Sequence, residues 1–382
     1  MAATSLGIWT APPPRSWTKV RSLALWLLAL PLPAQVTLEY IAHASFVLEA
    51  TNGQRLIIDP YNSERWLGYT FPESVTADYV LVTHPHYDHD ASYYFRAPVF
   101  REPGEYTLGP FRVLGVPAKH AGGFGAEFSF KSTVFVIETG GIRVAHFGDA
   151  GPLDAEQVKR IGRVDVVLLP IDGQDHILKP SQIEEIRRQL KPSIMVPMHY
   201  QIPELSGLPD SLGPIAPWLA GQPNVLRLRT NRWGVSAKDL RQAGQVWAFL
   251  HSPEVRPWPV RWQQAWARRN EAMAKREGNR AEALRLLESA NSLAPEISVI
   301  AFDYASLLPP VRAIEVLTRA LSIGGRHDWE YTERSHLLLA ELLAAQGRVA
   351  EAAEHCQLVL ASTDRTDLRR RASALAAKLM RE

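Results

Sequence analysis

Two short runs, "VDVVLLPI" (164–171) and "SIMVPMHY" (193–200), constrain the fold more than any other part of the chain. A strand with one face in water alternates apolar and polar residues, whereas these runs are almost wholly apolar. Such strands must be covered on both faces, as in a sheet flanked by helices. Helical windows that could supply the cover, "LDAEQVKRIG" and "KPSQIEEIRRQL", lie beside them in the chain. Upstream, "VTLEYI", "SFVLEA" and "RLIIDP" read as strands, and the "TNGQ" between the last two supplies an Asn-Gly hairpin turn. "DYVLVT", "FRVLGVPA", "TVFVIET" and "GIRVAHFGD" continue the series. Residues 36–252 therefore read as a mixed α/β domain with hairpins preceding helices.

The character changes at "HSPEVRPWPVRW" (251–262), a Pro-rich stretch that reads as a boundary, and residues 253–382 read as all-helical. "GNRAEALRLLESANSLAP" places Gly278, Ala283, Leu287, Ala290 and Pro295 in a spacing that "GRVAEAAEHCQLVLASTD" partly repeats with Gly347, Ala352 and Cys356. "AIEVLTRAL" adds Ala313, Leu317 and Ala320 without the glycine. Small residues at these offsets let paired helices approach closely, and the pattern resembles the tetratricopeptide repeat, though its period is irregular. An ordinary helical bundle would use Ala and Leu in much the same way. In either case this half is expected to scaffold or bind, through a protein partner, rather than to do chemistry.

With 382 residues the chain has room for two such domains. Its net charge of +2, without clustered Lys and Arg, gives no reason to expect a nucleic-acid partner. The single cysteine, Cys356, excludes an internal disulfide framework and a Cys-based zinc site, so any metal must be held by His and carboxylates. Near the N-terminus, Arg15, Lys19 and Arg21 precede the apolar "LALWLLAL" and then "PLPAQ". That order matches a secretory signal peptide over residues 1–35, and the apolar run is too short to span a bilayer. The expectation is export to the periplasm or the exterior, with membrane association as a variant. A buried N-terminal helix in a cytoplasmic protein is the alternative.

The stretch "LVTHPHYDHD" (81–90) carries the chemistry. His84, His86, Asp88 and His89 follow an apolar strand and so lie in the loop at its end. Imidazole and carboxylate together suit zinc, iron or manganese, and burying four such groups with no ion to compensate would be costly. His120, Asp149 and His199 each follow a further apolar strand, so all can be delivered to one edge of the sheet. Seven donors suffice for two metal ions.

In order, His84, His86, Asp88, His89, His120, Asp149 and His199 match the ligand series of the metallo-β-lactamase superfamily, which the chain resembles over about residues 36–250. The resemblance implies an αββα sandwich with the metals at one edge. It assigns His84, His86 and His120 to a first ion, Asp88, His89 and His199 to a second, and Asp149 to both. The cofactor expected is two divalent ions, zinc before manganese or iron. "YIAHASFVLE" and "LIIDP" further resemble the lactonase-like branch, which includes an N-acylphosphatidylethanolamine phospholipase D. There the histidine equivalent to His43 lies near the site, either as a catalytic group or in support. Asp59 reads as a carboxylate that orients a ligand histidine.

The reaction expected is hydrolysis of an ester, lactone or phosphodiester in a small or lipid-like substrate, with Asp149 and His43 as catalytic candidates. Water, His43 or Tyr200 could protonate the leaving group. Trp66, Tyr69, Phe71 and Phe124, in the loops 60–74 and 119–130, could contact substrate or simply pack. Arg65 and Arg143 stand isolated and mark no phosphate pocket. Two readings compete: a non-catalytic adaptor working through the helical repeats, and a di-iron redox enzyme. A scaffold has no use for seven donors, and the flavin domain and carboxylate-richer site of the second are not visible.

Overall fold

The computed structural model describes residues 35–121, 132–205, 212–324, 331–363 and 365–381. The expected signal peptide, apart from its last residue Gln35, and Phe124 lie outside them. Within the described residues, β1 (Val36–Ala42), β2 (Ser45–Ala50) and β3 (Arg55–Ile58) form a meander. The Asn-Gly signal falls at its second turn, where Gly53 takes φ +84°. There follow β4 (Tyr69–Thr70), β5 (Tyr79–Leu81), β6 (Val99–Phe100), β7 (Gly104–Leu108), β8 (Phe111–Ala118), β9 (Ser132–Thr139) and β10 (Ile142–His146). Helix α1 (Ala155–Ile161) precedes β11 (Val166–Pro170), and α2 (Pro180–Leu190) precedes β12 (Ile194–Met198). After α3 (Ala216–Ala220) come β13 (Val225–Arg227), β14 (Arg232–Val235), β15 (Gln245–Ala248) and β16 (Arg256–Pro257).

Two sheets form the sandwich, in the orders β14-β1-β2-β3-β5-β6 and β13-β15-β12-β11-β10-β9-β8-β7. In the second sheet the antiparallel run β7 to β10 gives way to parallel pairing from β10 to β13. The apolar runs behave as their composition demands. Val166 and Leu168 of β11 enter the core between the sheets, beside Leu38, Phe46 and Leu48. Val167 and Leu169 point the other way, onto Ile161 of α1 and Ile183, Ile186 and Leu190 of α2. Each buried aliphatic side chain contributes about 1.5–3 kcal/mol. α1 begins where Asp154 accepts from Gln157 N while the Gln157 side chain accepts from Asp154 N, a reciprocal cap that stops the helix fraying.

Among the described residues seven further helices follow: α4 (Val260–Lys275), α5 (Arg280–Leu293), α6 (Ser298–Ala305), α7 (Pro310–Gly324), α8 (Tyr331–Ala345), α9 (Val349–Ser362) and α10 (Thr366–Leu379). Ala283, Leu287 and Ala290 of α5, Ala313 and Leu317 of α7, and Ala352 and Cys356 of α9 are buried, whereas Ala320 is only half-buried. No helix among the described residues is long and apolar enough to cross a membrane.

The Pro-rich boundary stretch does not hang free. β16 pairs with β4, and the Trp258 indole donates to Ser63 O at 2.5 Å. Trp258 also packs with Trp262 and Trp266 of α4, and Trp66 of the sandwich joins the same cluster.

Candidate metal centre

The loop after β5 reverses tightly, with the backbone N–H groups of His89 and Asp90 both donating to His86 O, at 2.8 and 2.7 Å. That reversal puts His84 and His86 on one side of the site and Asp88 and His89 on the other. His120 lies two residues beyond β8, Asp149 three beyond β10, and His199 directly after β12. These strands alternate across the second sheet, so their ends line one edge opposite the loop after β5.

Donor atoms converge in two groups, each gathered within 4.8 Å: His84, His86, His120 and Asp149, and then His43, Asp88, His89 and His199. Asp149 connects them. Its Oδ2 lies 3.8 Å from His84 Nε2 and 3.5 Å from His120 Nε2. Its Oδ1 lies 3.3 Å from His89 Nε2 and 3.4 Å from His199 Nε2. Asp88 Oδ2 faces the second group, 3.7 Å from Nε2 of both His89 and His199.

A further layer fixes how these rings stand. Asp59 is fully buried, and its Oδ2 accepts from His89 Nδ1 at 2.7 Å and from Thr83 Oγ1 at 2.6 Å. A carboxylate can only accept, so His89 donates its Nδ1–H to Asp59, which leaves Nε2 as the ring atom that faces Asp149. His120 does the same by donating Nδ1–H to Ala121 O at 2.5 Å. Thr83 Oγ1 meets His84 Nδ1 at 3.0 Å, which leaves Nε2 of that ring facing the site. His43, with no exposed surface, places Nε2 3.1 Å from Asp88 Oδ2 and lies tilted against His199, with ring centroids 4.0 Å apart.

The backbone is bent to make this arrangement. Among the described residues, three of the five non-glycine positions with positive φ are His43, Asp59 and His199, at +56°, +50° and +62°. Left-handed backbone costs a β-carbon-bearing residue about 1–2 kcal/mol, and such strain gathers where a side chain must be aimed. Gly148 (φ +51°) passes so close to Thr83 that a β-carbon there would collide with its hydroxyl.

Burial and its histidine neighbours push His84 well below its ordinary value, and burial, against the pull of Asp88, brings His86 down to about 4. Both are therefore neutral ligand-type imidazoles at physiological pH. For His89 and His199 burial also opposes the charged form, but neighbouring carboxylates outweigh it. Asp149, Asp88 and Asp59 hold His89 well above its ordinary value, and Asp149 and Asp88 raise His199 to about 9. These two protons sit where the carboxylates require positive charge. A divalent cation answers the same requirement at shorter range. The Nε2 atoms of His89, His120 and His199 are buried and meet Asp149 only at 3.3, 3.5 and 3.4 Å, without the alignment of a hydrogen bond, an arrangement that an ion between them would complete. The donor set therefore fits divalent metal.

All seven ligand candidates are thus brought together, with Asp59 in the supporting place expected of it. His43 stands within the second donor group, and Tyr200, whose phenol burial pushes up to about 12, pairs with Tyr40. Phe71 and Tyr69 pack into the sandwich core against Tyr61. Trp66 stands edge-on to His43 at 6.3 Å. Arg143 serves the fold by bonding Glu138, Ile161 O and Arg163 O. Two residues near the site were not singled out by the sequence pattern. His146, fully buried, donates across the sandwich to Ala44 O at 2.8 Å, takes the Gly148 N–H and lies 3.8 Å from Asp59. Half-buried His176, in the loop after β11, is lowered by burial and then by His199, close enough to feel the charges of Asp149 and Asp88. A histidine inside an apolar strand and another past a strand end were the available signals.

The family profile described as "Beta-lactamase superfamily domain" matches residues 37–199, which holds every one of the seven donors. A UPF0173 metal-dependent hydrolase of Pelotomaculum thermopropionicum is 31% identical over 191 residues, 42% of this chain and 82% of that protein. The chain belongs to the metallo-β-lactamase superfamily of metal-dependent hydrolases. A second such hydrolase, from Thermococcus onnurineus, is 29% identical over 43% of this chain and 84% of its own length. A solved metallo-β-lactamase superfamily structure from Thermotoga maritima aligns at TM-score 0.46 and 28% identity, covering 57% of this chain and 100% of that one. The matched stretch of this metallo-β-lactamase superfamily member holds the whole donor set, and α4 to α10 lie beyond the profile's last residue.

Proposed function

We propose that this metallo-β-lactamase superfamily hydrolase works with two divalent ions, zinc before manganese or iron, on an ester, lactone or phosphodiester bond. The observation that carries the proposal is the division of one carboxylate: Asp149 turns Oδ2 to His84 and His120 and Oδ1 to His89 and His199. On this reading His84, His86 and His120 would hold one ion, Asp88, His89 and His199 the other, and Asp149 would serve both. When bound, the ions would polarise the oxygen of the bond under attack and bring the pKa of water towards neutrality.

The chain's own contribution is positioning. Asp59 keeps the His89 proton on Nδ1, and His43 fixes the Asp88 carboxylate. His43 is buried and engaged with Asp88, so this reading makes it a positioning residue, not an acid. Tyr200 is raised and paired, which leaves water to protonate the leaving group. A small or lipid-like substrate class, the lactonase-like branch, the tetratricopeptide-like character of α4–α10 and export by the leader are parts of the same proposal.

Elemental analysis of purified protein, beside turnover of bis-p-nitrophenyl phosphate, a lactone and nitrocefin, tests it. Two ions per chain and turnover lost in Asp88→Ala and His199→Ala are expected. Metal-free protein of full stability, inert on the panel, would overturn the enzyme reading and favour the adaptor.

A further inference from the structure

Arg65 stands isolated in the sequence. In the fold it is buried, and its guanidinium lies between two tyrosines from distant parts of the chain. Its Cζ is 3.8 Å from the ring centroid of Tyr87 and 4.6 Å from that of Tyr331. Tyr87 occupies the metal loop between His86 and Asp88, one donor of each group. Tyr331 is the first residue of α8 and packs on Phe302 of α6 and on the tryptophan cluster of α4.

Around this sandwich the segment 60–68 is tied at both sides. Towards the metal loop, Asn62 N–H donates to Tyr87 O at 2.8 Å and Ala91 N–H to Pro60 O at 2.7 Å. Towards the helices, Ser63 O accepts from the Trp258 indole, and Gly68 O accepts from Trp258 N–H at 2.8 Å. Trp66 spans the same gap: it joins the tryptophan cluster while its ring meets Tyr87 at 6.5 Å and His43 at 6.3 Å.

We propose that the helical segment braces the metal site, and that Arg65, clasped between Tyr331 and Tyr87, is the positioning residue through which α8 sets the loop carrying His86 and Asp88. A guanidinium between two aromatic faces is attracted to both, and its planarity fixes their spacing in a way an ammonium would not. Displacement of Tyr87 must move one donor of each group, because His86 and Asp88 are its chain neighbours. The inference rests on the reading of the cluster as a metal site. It gives the helices a task within the hydrolase, where the repeat pattern alone suggested only a docking surface.

The test uses the full chain in Tyr331→Leu, Tyr331→Phe and Arg65→Lys forms, with Co(II) as the probe. Affinity is read by chelator competition and ligand geometry by the visible absorption of bound Co(II). Far-UV circular dichroism and melting report the fold. The brace requires Tyr331→Leu and Arg65→Lys to weaken Co(II) binding by about 10-fold or more and to change the absorption band, the loss found for groups that orient metal ligands. Tyr331→Phe, which keeps the aromatic face, must match the parent. Folded Tyr331→Leu and Arg65→Lys with parental affinity and spectrum would overturn the brace while leaving the metal site intact. If Tyr331→Leu fails to fold, folded Arg65→Lys decides between these outcomes alone. A parent chain that binds no Co(II) would instead overturn the metal reading.

Discussion

Replacing Asp59 by Asn tests the supporting layer with the least disturbance to the backbone. The residue stands at φ +50°, a region Asn enters about as readily as Asp, so the strain is unchanged. The side chain keeps its shape but exchanges one acceptor for a donor. If the amide oxygen stays on Thr83 N, where Asp59 Oδ1 accepts at 2.8 Å, the new NH2 faces His89 Nδ1 and Thr83 Oγ1. Two donors cannot share the His89 contact. The ring must take its proton on Nε2 to accept from the amide, and Nε2 is the atom turned towards Asp149. The lone pair that the proposed second ion would need is then gone. If the amide flips instead, NH2 opposes the Thr83 N–H and leaves a buried donor unsatisfied, at about 1–3 kcal/mol.

Loss of such an orienting bond lowers metal affinity about 10–100-fold, or about 1.4–2.7 kcal/mol. Chelator competition should therefore show one ion of the pair weakened by that factor, with the other altered less and turnover falling in step. Retention of both ions at parental affinity would refute the argument, because the His89 tautomer would then be set by something other than Asp59.

Other expectations follow from the same geometry. Asp149→Asn should cost both ions and reduce hydrolysis to background, and in chelated protein NMR should show His199 titrating well below its parental value of about 9. Chelated protein should be most stable near the ordinary histidine pKa, about 6.5. Raised His89 and His199 contribute stability below that pH, which is lost as pH rises through their folded values, about 9 for His199. Lowered His43 and His86 contribute stability above it, lost as pH falls towards about 4. Melting curves across pH check this, and metal loading should flatten the alkaline flank. Gly148→Ala costs about 1–2 kcal/mol for its left-handed backbone and must also push Thr83 away from Asp59 and His84, so melting temperature and metal affinity should fall together. Trp258→Phe leaves Ser63 O without its indole donor in a buried seam, and thermal unfolding should report a loss of about 1–3 kcal/mol.

Much of the sandwich was legible because apolar pattern reports burial locally. The runs around Val166 and Ile194 required cover on both faces, and α1, α2 and the first sheet provide it. The short strands β4, β6 and β16 were not legible, since pairs of two residues carry no period and are fixed only by the partner they meet. The ring residues of the loop 60–74 were ambiguous for a related reason. Phe71 and Tyr69 turned inward to the core while Trp66 reached towards His43, and composition does not distinguish those directions.

The seven candidate donors could be picked out in the sequence, because together they match one superfamily's ligand series and each follows an apolar strand that can deliver it to a common edge. The resemblance already implied how they divide, and the tertiary structure decided how they are aimed. Which oxygen of Asp149 faces which histidines depends on the opposition of the two sheets, and the proton of His89 depends on Asp59, brought beside it by the pairing of β3 with β5. Arg65 shows the same limit most clearly. Its charge was visible in the chain, but its two aromatic partners come from the metal loop and from α8, and only folding puts them within reach of one guanidinium.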